Sequence, residues 1–458
     1  MPSNVQLSFI NLTGTTLHVS VPGITLLKPL ALSDGALTHL GEVSVGKTVE
    51  ISLSEKPEEG PEIYSNKIIF KRRMHGRSWE PLSTHNSTWR LYRAKIGKGH
   101  QRIFVFPQRP LASWMRDLPD SLPLSSVCLP GTHETMALYG WPFSQCQDIT
   151  LTEQFQYGVR IVDIRIVLVD GQLRTYHGAT PERATFTDIL EAVSSFLESY
   201  EGKSETIVVS IMEESSFMPS SPLFSSLVHD AILSEPSKRS LWYLENRIPR
   251  LGEVRGKAIL FSRFGNHGEG WEGGKIGIHP PIWPNSRREG FEWELTNCRV
   301  RTQDWYAIPS FLDIPEKFAV AVEMLIPQPT PNGKQDLAIT FFSAARVPLA
   351  LPSTVACGFG WSVLGVEGVN SRAGRWLLDQ LGDDTDTTIA PLSKSESEVT
   401  LVGDEKRYKS QPNGRREPRL RGWVLMDFAL YPYELGLIPL LVECNWRGRV
   451  KGEEGWDC

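Results

Sequence analysis

Two of the ten histidines in this 458-residue chain are placed to move protons. His133 lies in LPGTHET, directly after a β-like run that Pro130 and Gly131 break; His177 closes a second such run in TYHGAT and is followed by Gly178. If both runs are staves of a parallel barrel, both imidazoles stand at C-terminal strand ends, the face on which such barrels carry their active sites. Between them, VRIVDIRI sets Asp163 and Arg165 two residues apart, on one side of one strand. A charged pair in an apolar strand needs a polar site or a tight partner, so these two either line the same pocket or form a purely structural ion pair. Two histidines, an arginine and a carboxylate are the parts needed to cleave a phosphodiester by acid and base without a metal. One imidazole takes a proton from an attacking hydroxyl, the other gives one to the leaving oxygen, and the guanidinium meets the charge gathering on the phosphorus oxygens. Imidazole suits both tasks because its ordinary pKa of about 6.5 lies near neutrality.

Such a site needs strands to hold it. From about Ser125 onward, β-branched runs alternate with helical patterns: Phe186, Ile189, Leu190, Val193, Phe196 and Leu197 fall at helical spacing behind Thr185, a candidate N-cap. Candidate strands over 126–129, 160–166, 173–176, 206–212, 257–262, 299–303, 338–342 and 423–426 make up a set of eight. The second and third are too close for a crossover helix, so the expected fold is α/β, a distorted TIM (β/α)8-type barrel. The first hundred residues alternate instead in short runs (5–10, 16–21, 49–53, 89–93, 102–106) separated by Gly, Pro, Asn and Ser, the pattern of a small antiparallel sandwich. The expected organisation is an all-β sandwich-like domain over 1–107 and the barrel over 108–458. Residues 383–421, poor in aromatics and rich in Asp, Ser, Lys and Arg, read as a flexible insertion in the barrel.

Composition narrows the function classes. Lys and Arg number 48 against 53 Asp and Glu, a net charge of -5, so the chain lacks the basic excess of a nucleic-acid binder. No run approaches the roughly 18 apolar residues that span a bilayer, and Met1–Leu12 has neither the charged nor the apolar region of a signal peptide. The expected location is therefore cytoplasmic or peripheral to a membrane. The six cysteines, Cys128, Cys146, Cys298, Cys357, Cys444 and Cys458, are scattered without C-x-x-C or metal-ligand spacing, so free thiols are expected, with no metal and no cofactor. The 14 tryptophans suit cores, sugar-stacking sites and membrane interfaces alike.

The run WMRDLPDSLPLSSVCLPGTHETM, from Trp114 to Met136, resembles the opening of the catalytic X domain of bacterial-type phosphatidylinositol-specific phospholipase C, and VDIR and YHG follow in the family's order. The similarity continues through ETIVVSIMEE, LGEVRGKAILFSRF, IWPNS, VRTQDWY, LAITFFS and GWVLMDF, covering roughly residues 110 to 445. The resemblance implies metal-independent cleavage of phosphatidylinositol to diacylglycerol and inositol 1,2-cyclic phosphate. It gives His133 the part of the base that deprotonates the inositol 2-hydroxyl, and His177 that of the acid that protonates the diacylglycerol oxygen. Arg165 becomes the stabiliser of the phosphorane, standing where metal-dependent relatives place a calcium-binding carboxylate. Asp163 becomes the carboxylate that works with the acid histidine, Asp427 the one that orients the base, and Arg263, Asp304, Tyr306 and Trp283 the contacts of the inositol ring.

The chain departs from the family's pattern at two positions. Glu134 follows the base histidine where Asp is usual, and Met212 replaces a lysine that helps bind inositol. Met212 keeps alive a second reading, a phosphodiesterase of the same fold for another lipid or glycerophosphodiester headgroup. A third reading, a lipid-binding protein without catalysis, runs against the retention of all five reactive positions. Cleavage of a phospholipid requires docking on a membrane surface, and Trp141, in ALYGWPF shortly after His133, is the candidate contact; the alternative is a core tryptophan. The basic run Lys406 to Arg421 is either a second membrane contact or a solvated linker. No protein partner is identified.

Overall fold

The computed structural model describes residues 4–457 apart from 21–29, 45–47, 56–63, 70–77, 83–87, 215–221, 234–235, 266–267, 331–333, 360–364, 383–417 and 434. Residues 4–107 form two facing sheets. One runs in the order Leu37–Ser44, Asn4–Asn11, His100–Pro107, Trp89–Gly97 and Trp79–Pro81; the other contains Leu30–Leu32, Leu17–Ser20, Thr48–Ser54 and Tyr64–Ile69. The expectation of an all-antiparallel sandwich fails at one pairing, because Asn4–Asn11 lies parallel to His100–Pro107. These are the first and last strands of the unit, joined through all the others rather than by a hairpin, so nothing forces them antiparallel.

The five-stranded sheet buries apolar side chains on both faces. Trp89, Leu91, Ile103 and Val105 pack inside the sandwich with Leu7, Phe9, Leu17 and Val19. Their alternating neighbours Tyr92, Ala94, Phe104 and Phe106 belong to the core that extends into the barrel. Trp79 closes this seam: its ring is fully buried, and its Nε1 donates to the Ser371 carbonyl at 2.7 Å. The outer helix Val369–Gly382 presents Gly374 there, where a Cβ would lie 2.1 Å from the Trp79 ring. Each ring buried in this way contributes about 2–3 kcal/mol.

The barrel sheet follows the path Trp242–Tyr243, Lys257–Arg263, Thr206–Glu213, Ile161–Val169, Cys128–Thr132, Gly422–Met426, Gln335–Phe341, Cys298–Gln303 and Phe291–Glu294. Every pairing along it is parallel except the last. Near the two ends of this path the Phe261 ring stacks on Trp293 at 6.3 Å, and across the barrel it meets Trp423 of the middle strand edge-on at 6.5 Å. Gly131 is required in the Cys128–Thr132 strand, because a Cβ there would sit 2.2 Å from Ile161 and 2.9 Å from the Val424 carbonyl. The helix Phe186–Glu198 forms as its periodicity predicts, with Thr185 accepting from the Asp188 amide and Asp188 capping back.

Two readings of the barrel need correction. Residues 173–176 are not a stave: Gln172–His177 pairs antiparallel with the outer half of Ile161–Val169, from Ile166↔Thr175 to Val169↔Gln172. Ile161 pairs with Gly131 and Val208, so the inner half of that strand is barrel wall while the outer half overhangs the mouth. The turn at Asp170 and Gly171, both at positive φ, sends the chain back so that His177 reaches the mouth from above. Of the expected insertion 383–421, residues 383–417 lie outside the described residues. Arg421 is buried, donating to the Cys444 and Arg447 carbonyls at 3.0 Å and to Glu454 at 3.1 Å, so it is a structural residue.

Candidate active site

Adjacent strand ends bring His133 and Asp427 together. Cys128–Thr132 pairs in register with Gly422–Met426, and the His133 amide donates to the Met426 carbonyl at 2.9 Å, so the next residue on each chain faces the same mouth. His133 Nδ1 lies 2.8 Å from Asp427 Oδ1. A carboxylate only accepts, so Nδ1 carries the proton and Nε2 keeps its lone pair. Burial opposes a charge on the ring, but the Asp427 carboxylate overcomes it, and the His133 pKa is raised. Gln147 ties the two strand ends, its Nε2 donating to the His133 and Met426 carbonyls at 2.8 Å.

The second cluster is built on Asp163, which is fully buried. Arg165 donates to it through Nε at 3.1 Å and Nη2 at 3.0 Å, and Arg263 Nη1 lies at 3.4 Å. Burial pushes the Asp163 carboxyl up, yet the two guanidinium groups win and hold it well below the usual carboxylate range. Arg165 Nη1 also lies 3.5 Å from Glu134 and 3.3 Å from Glu214, so one guanidinium is ringed by three carboxyl groups. Glu134 is buried, and that burial pushes its carboxyl up to about 8 against the pull of Arg165 and His133.

His177 is held by a segment that the sequence did not single out. Its Nδ1 lies 2.6 Å from the Ser144 carbonyl and 3.8 Å from Cys146 Sγ. The carbonyl fixes the proton on Nδ1, which leaves Nε2 turned toward Glu134 Oε1 at 3.9 Å. The expected partnership of Asp163 with the acid histidine is therefore corrected. The carboxylate beside His177 is Glu134, while Asp163 is taken up by Arg165 and Arg263.

The remaining candidates form the far wall. Trp283 lies under the Arg263 guanidinium, 4.0 Å from its centroid, and donates from Nε1 to Asp304 Oδ2 at 2.8 Å. Phe341 meets both Trp283 and His133 edge-on, at 6.1 and 6.0 Å, so it spaces this wall from the dyad. Tyr306 is partly exposed and bonds Asn285. Arg263 Nε is buried with no hydrogen-bond partner, an unused donor at this wall. Met212 lies in register with Arg165 on one side and Arg263 on the other, so it stands between the two cations. Behind the wall, buried Lys317 donates to the Trp305 carbonyl at 2.9 Å, and burial pushes its ammonium down to about 7.

Trp141 is 66% exposed and Phe143 56%, and both lie on the stretch that delivers Ser144 and Cys146 to His177. Among the described residues, His133, Cys146 and Asp427 form a group of donors close enough for one metal ion, their ligand atoms lying within 4.8 Å of one another. Chain spacing could not reveal it, since Asp427 is hundreds of residues from the other two. Among the described residues no helix is long and apolar enough to cross a membrane.

Residues 121–264 match the family model described as Phosphatidylinositol-specific phospholipase C, X domain. A 1-phosphatidylinositol phosphodiesterase of Listeria monocytogenes is 31% identical over 209 residues, which cover 43% of this chain and 58% of the relative. One from Staphylococcus aureus (strain Newman) is 26% identical over 255 residues, covering 53% of this chain and 78% of the relative. The first match thus spans less than two thirds of that relative's length. Two solved structures of phosphatidylinositol-specific phospholipase C from Staphylococcus aureus superpose with TM-scores of 0.53 and 0.54 at 19% identity, over 73% and 74% of this chain and 98% of theirs. The barrel thus has the fold of the bacterial enzymes, and the segment that matches the X-domain model, residues 121–264, is the one that carries His133, Asp163, Arg165 and His177.

Proposed function

We propose that this protein cleaves the glycerol-side phosphodiester of phosphatidylinositol at a membrane surface, giving diacylglycerol and inositol 1,2-cyclic phosphate. The observation that carries this reading is the contiguous array in which Arg165 lies against Asp163 and Glu134, with Glu134 following His133 in the chain and facing His177. His133 Nε2 takes the proton of the inositol 2-hydroxyl, and Asp427 stabilises the imidazolium that forms. The freed oxygen bonds to phosphorus while the bond to the glycerol oxygen breaks, and His177 supplies the proton that this oxygen needs. Arg165 meets the negative charge on the non-bridging oxygens and does the work a metal would do elsewhere. Arg263, Asp304 and Trp283 supply donors, an acceptor and an aromatic face, which are what the edges and C–H face of a polyol require.

Diacylglycerol stays in the bilayer, so the mouth must meet lipid. Exposed Tyr139, Trp141 and Phe143 lie on the stretch that touches His177, and Ile282 beside Trp283 is 71% exposed. Aromatic residues at this rim favour the interfacial zone of a bilayer. The location that follows is peripheral, on a membrane bearing the substrate. The test is turnover of mixed phospholipid vesicles with the water-soluble products identified by phosphorus NMR. The cyclic phosphate from phosphatidylinositol supports the reading, and its absence with native protein overturns it.

Met212 favours a second reading, in which the pocket takes another headgroup. An apolar side chain between Arg165 and Arg263 offers no donor to a ring hydroxyl. A different phosphorus product from the same vesicles would establish that reading.

A further inference from the structure

We infer that His133, Cys146 and Asp427 form a site for a thiophilic divalent cation of the Zn2+ class, and that filling it switches off the base. The ligand atoms lie within 4.8 Å of one another. Their backbones are knit together: the Phe428 amide donates to the Cys146 carbonyl at 2.7 Å, the His133 amide donates to the Met426 carbonyl, and Gln147 clamps the His133 and Met426 carbonyls. Asn370 Nδ2 holds the Asp427 carbonyl at 2.9 Å. Anchored ligands of this kind keep a metal site in shape. One sulfur, one nitrogen and one oxygen suit Zn2+ or Co2+ and leave a fourth position open to water from the mouth, whereas Ca2+ and Mg2+ need oxygen shells.

Binding proceeds without redox chemistry. The thiol proton leaves to solvent, the sulfur and the carboxylate bond the ion, and the Nδ1 proton of His133 moves to Nε2 as Nδ1 becomes a ligand. The contact between Nδ1 and the carboxylate, 2.8 Å in the metal-free dyad, opens by about 0.5 Å to admit the ion. The imidazole then presents N–H to the mouth where catalysis needs a lone pair. Cys146 also touches His177 Nδ1 at 3.8 Å, so the ion sits between the two histidines. The effect on rate rests on the proposed phosphodiesterase reading; the capture of metal rests on geometry alone.

The experiment titrates the full native chain with Co2+ and follows the thiolate-to-cobalt charge-transfer band, beside phosphodiesterase assays with Zn2+. The site predicts a one-to-one band that Cys146→Ser abolishes. It also predicts Zn2+ inhibition that chelator reverses, with half-inhibition shifted at least about tenfold in that variant relative to its own metal-free rate. No band with the native chain, or a band unchanged by Cys146→Ser, overturns the site. A band with no phosphodiesterase activity supports the site and overturns the functional reading instead. If Cys146→Ser fails to fold, X-ray absorption of the zinc-loaded native chain decides: one sulfur with nitrogen and oxygen neighbours supports the site, and any other sulfur count overturns it.

Discussion

His177 Nε2 stands 3.9 Å from Glu134 Oε1, a carboxyl group carried by the residue next to His133. Glu134 adopts φ 44°, and this left-handed bend lets neighbouring residues serve opposite sides of the reaction: His133 turns to Asp427 and Glu134 to Arg165 and His177.

A pH dependence of stability follows from this carboxyl. Its folded pKa is raised by burial, so its protonated form favours the folded state below the unfolded value, and that contribution is lost as pH rises through about 8. Glu134→Gln removes the titration. The variant should lose less stability than the native chain between about pH 6 and pH 9, measured by urea unfolding at several pH values. Parallel curves for the two proteins would contradict the buried, neutral carboxyl.

Removal of either histidine should be severe. His133→Ala and His177→Ala should each lower the rate by roughly 10² to 10⁴, the range for loss of a general base or acid. Asp427→Asn should lower it at least about tenfold through the wrong imidazole tautomer. Because Arg165 supplies the positive charge, chelator should leave the rate unchanged or raise it. Abolition of activity by EDTA with rescue by calcium would contradict this arrangement.

Met212→Lys places an ammonium between Arg165 and Arg263, within the field of Glu134, Asp163 and Glu214. Turnover of phosphatidylinositol should rise and selectivity for it over other phosphodiesters should sharpen, read as kcat/KM on a headgroup panel. A fall on the preferred substrate with a rise on none would show that Met212 is an apolar wall for a different headgroup.

Trp141→Ala should weaken vesicle binding while sparing hydrolysis of a monomeric soluble substrate, because the ring is 66% exposed and removing it leaves no core cavity. Sedimentation with lipid vesicles and a thermal melt separate the outcomes. A lower melting temperature with unchanged vesicle affinity would mark a packing residue.

What sequence alone determined here was local. The i,i+2 placement of Asp163 and Arg165 and the capping of Phe186–Glu198 by Thr185 each follow from short-range geometry. The reactive residue types and the strand ends that carry them were legible for the same reason. Pairings between distant strands were not. Arg263 reaches Asp163 from a strand a hundred residues away, Cys146 meets His177 only because an overhanging hairpin lowers that imidazole onto the segment behind Trp141, and Glu134 displaces Asp163 as the partner of His177. The sandwich shows the same limit: alternation in Trp89–Gly97 marks two faces, but both phases carry buried apolar side chains and only docking on the barrel decides which covers what. The period of a strand states which residues share a side, whereas the identity of what faces that side is set by tertiary packing, where burial and charge pairing act over distances that no local pattern encodes.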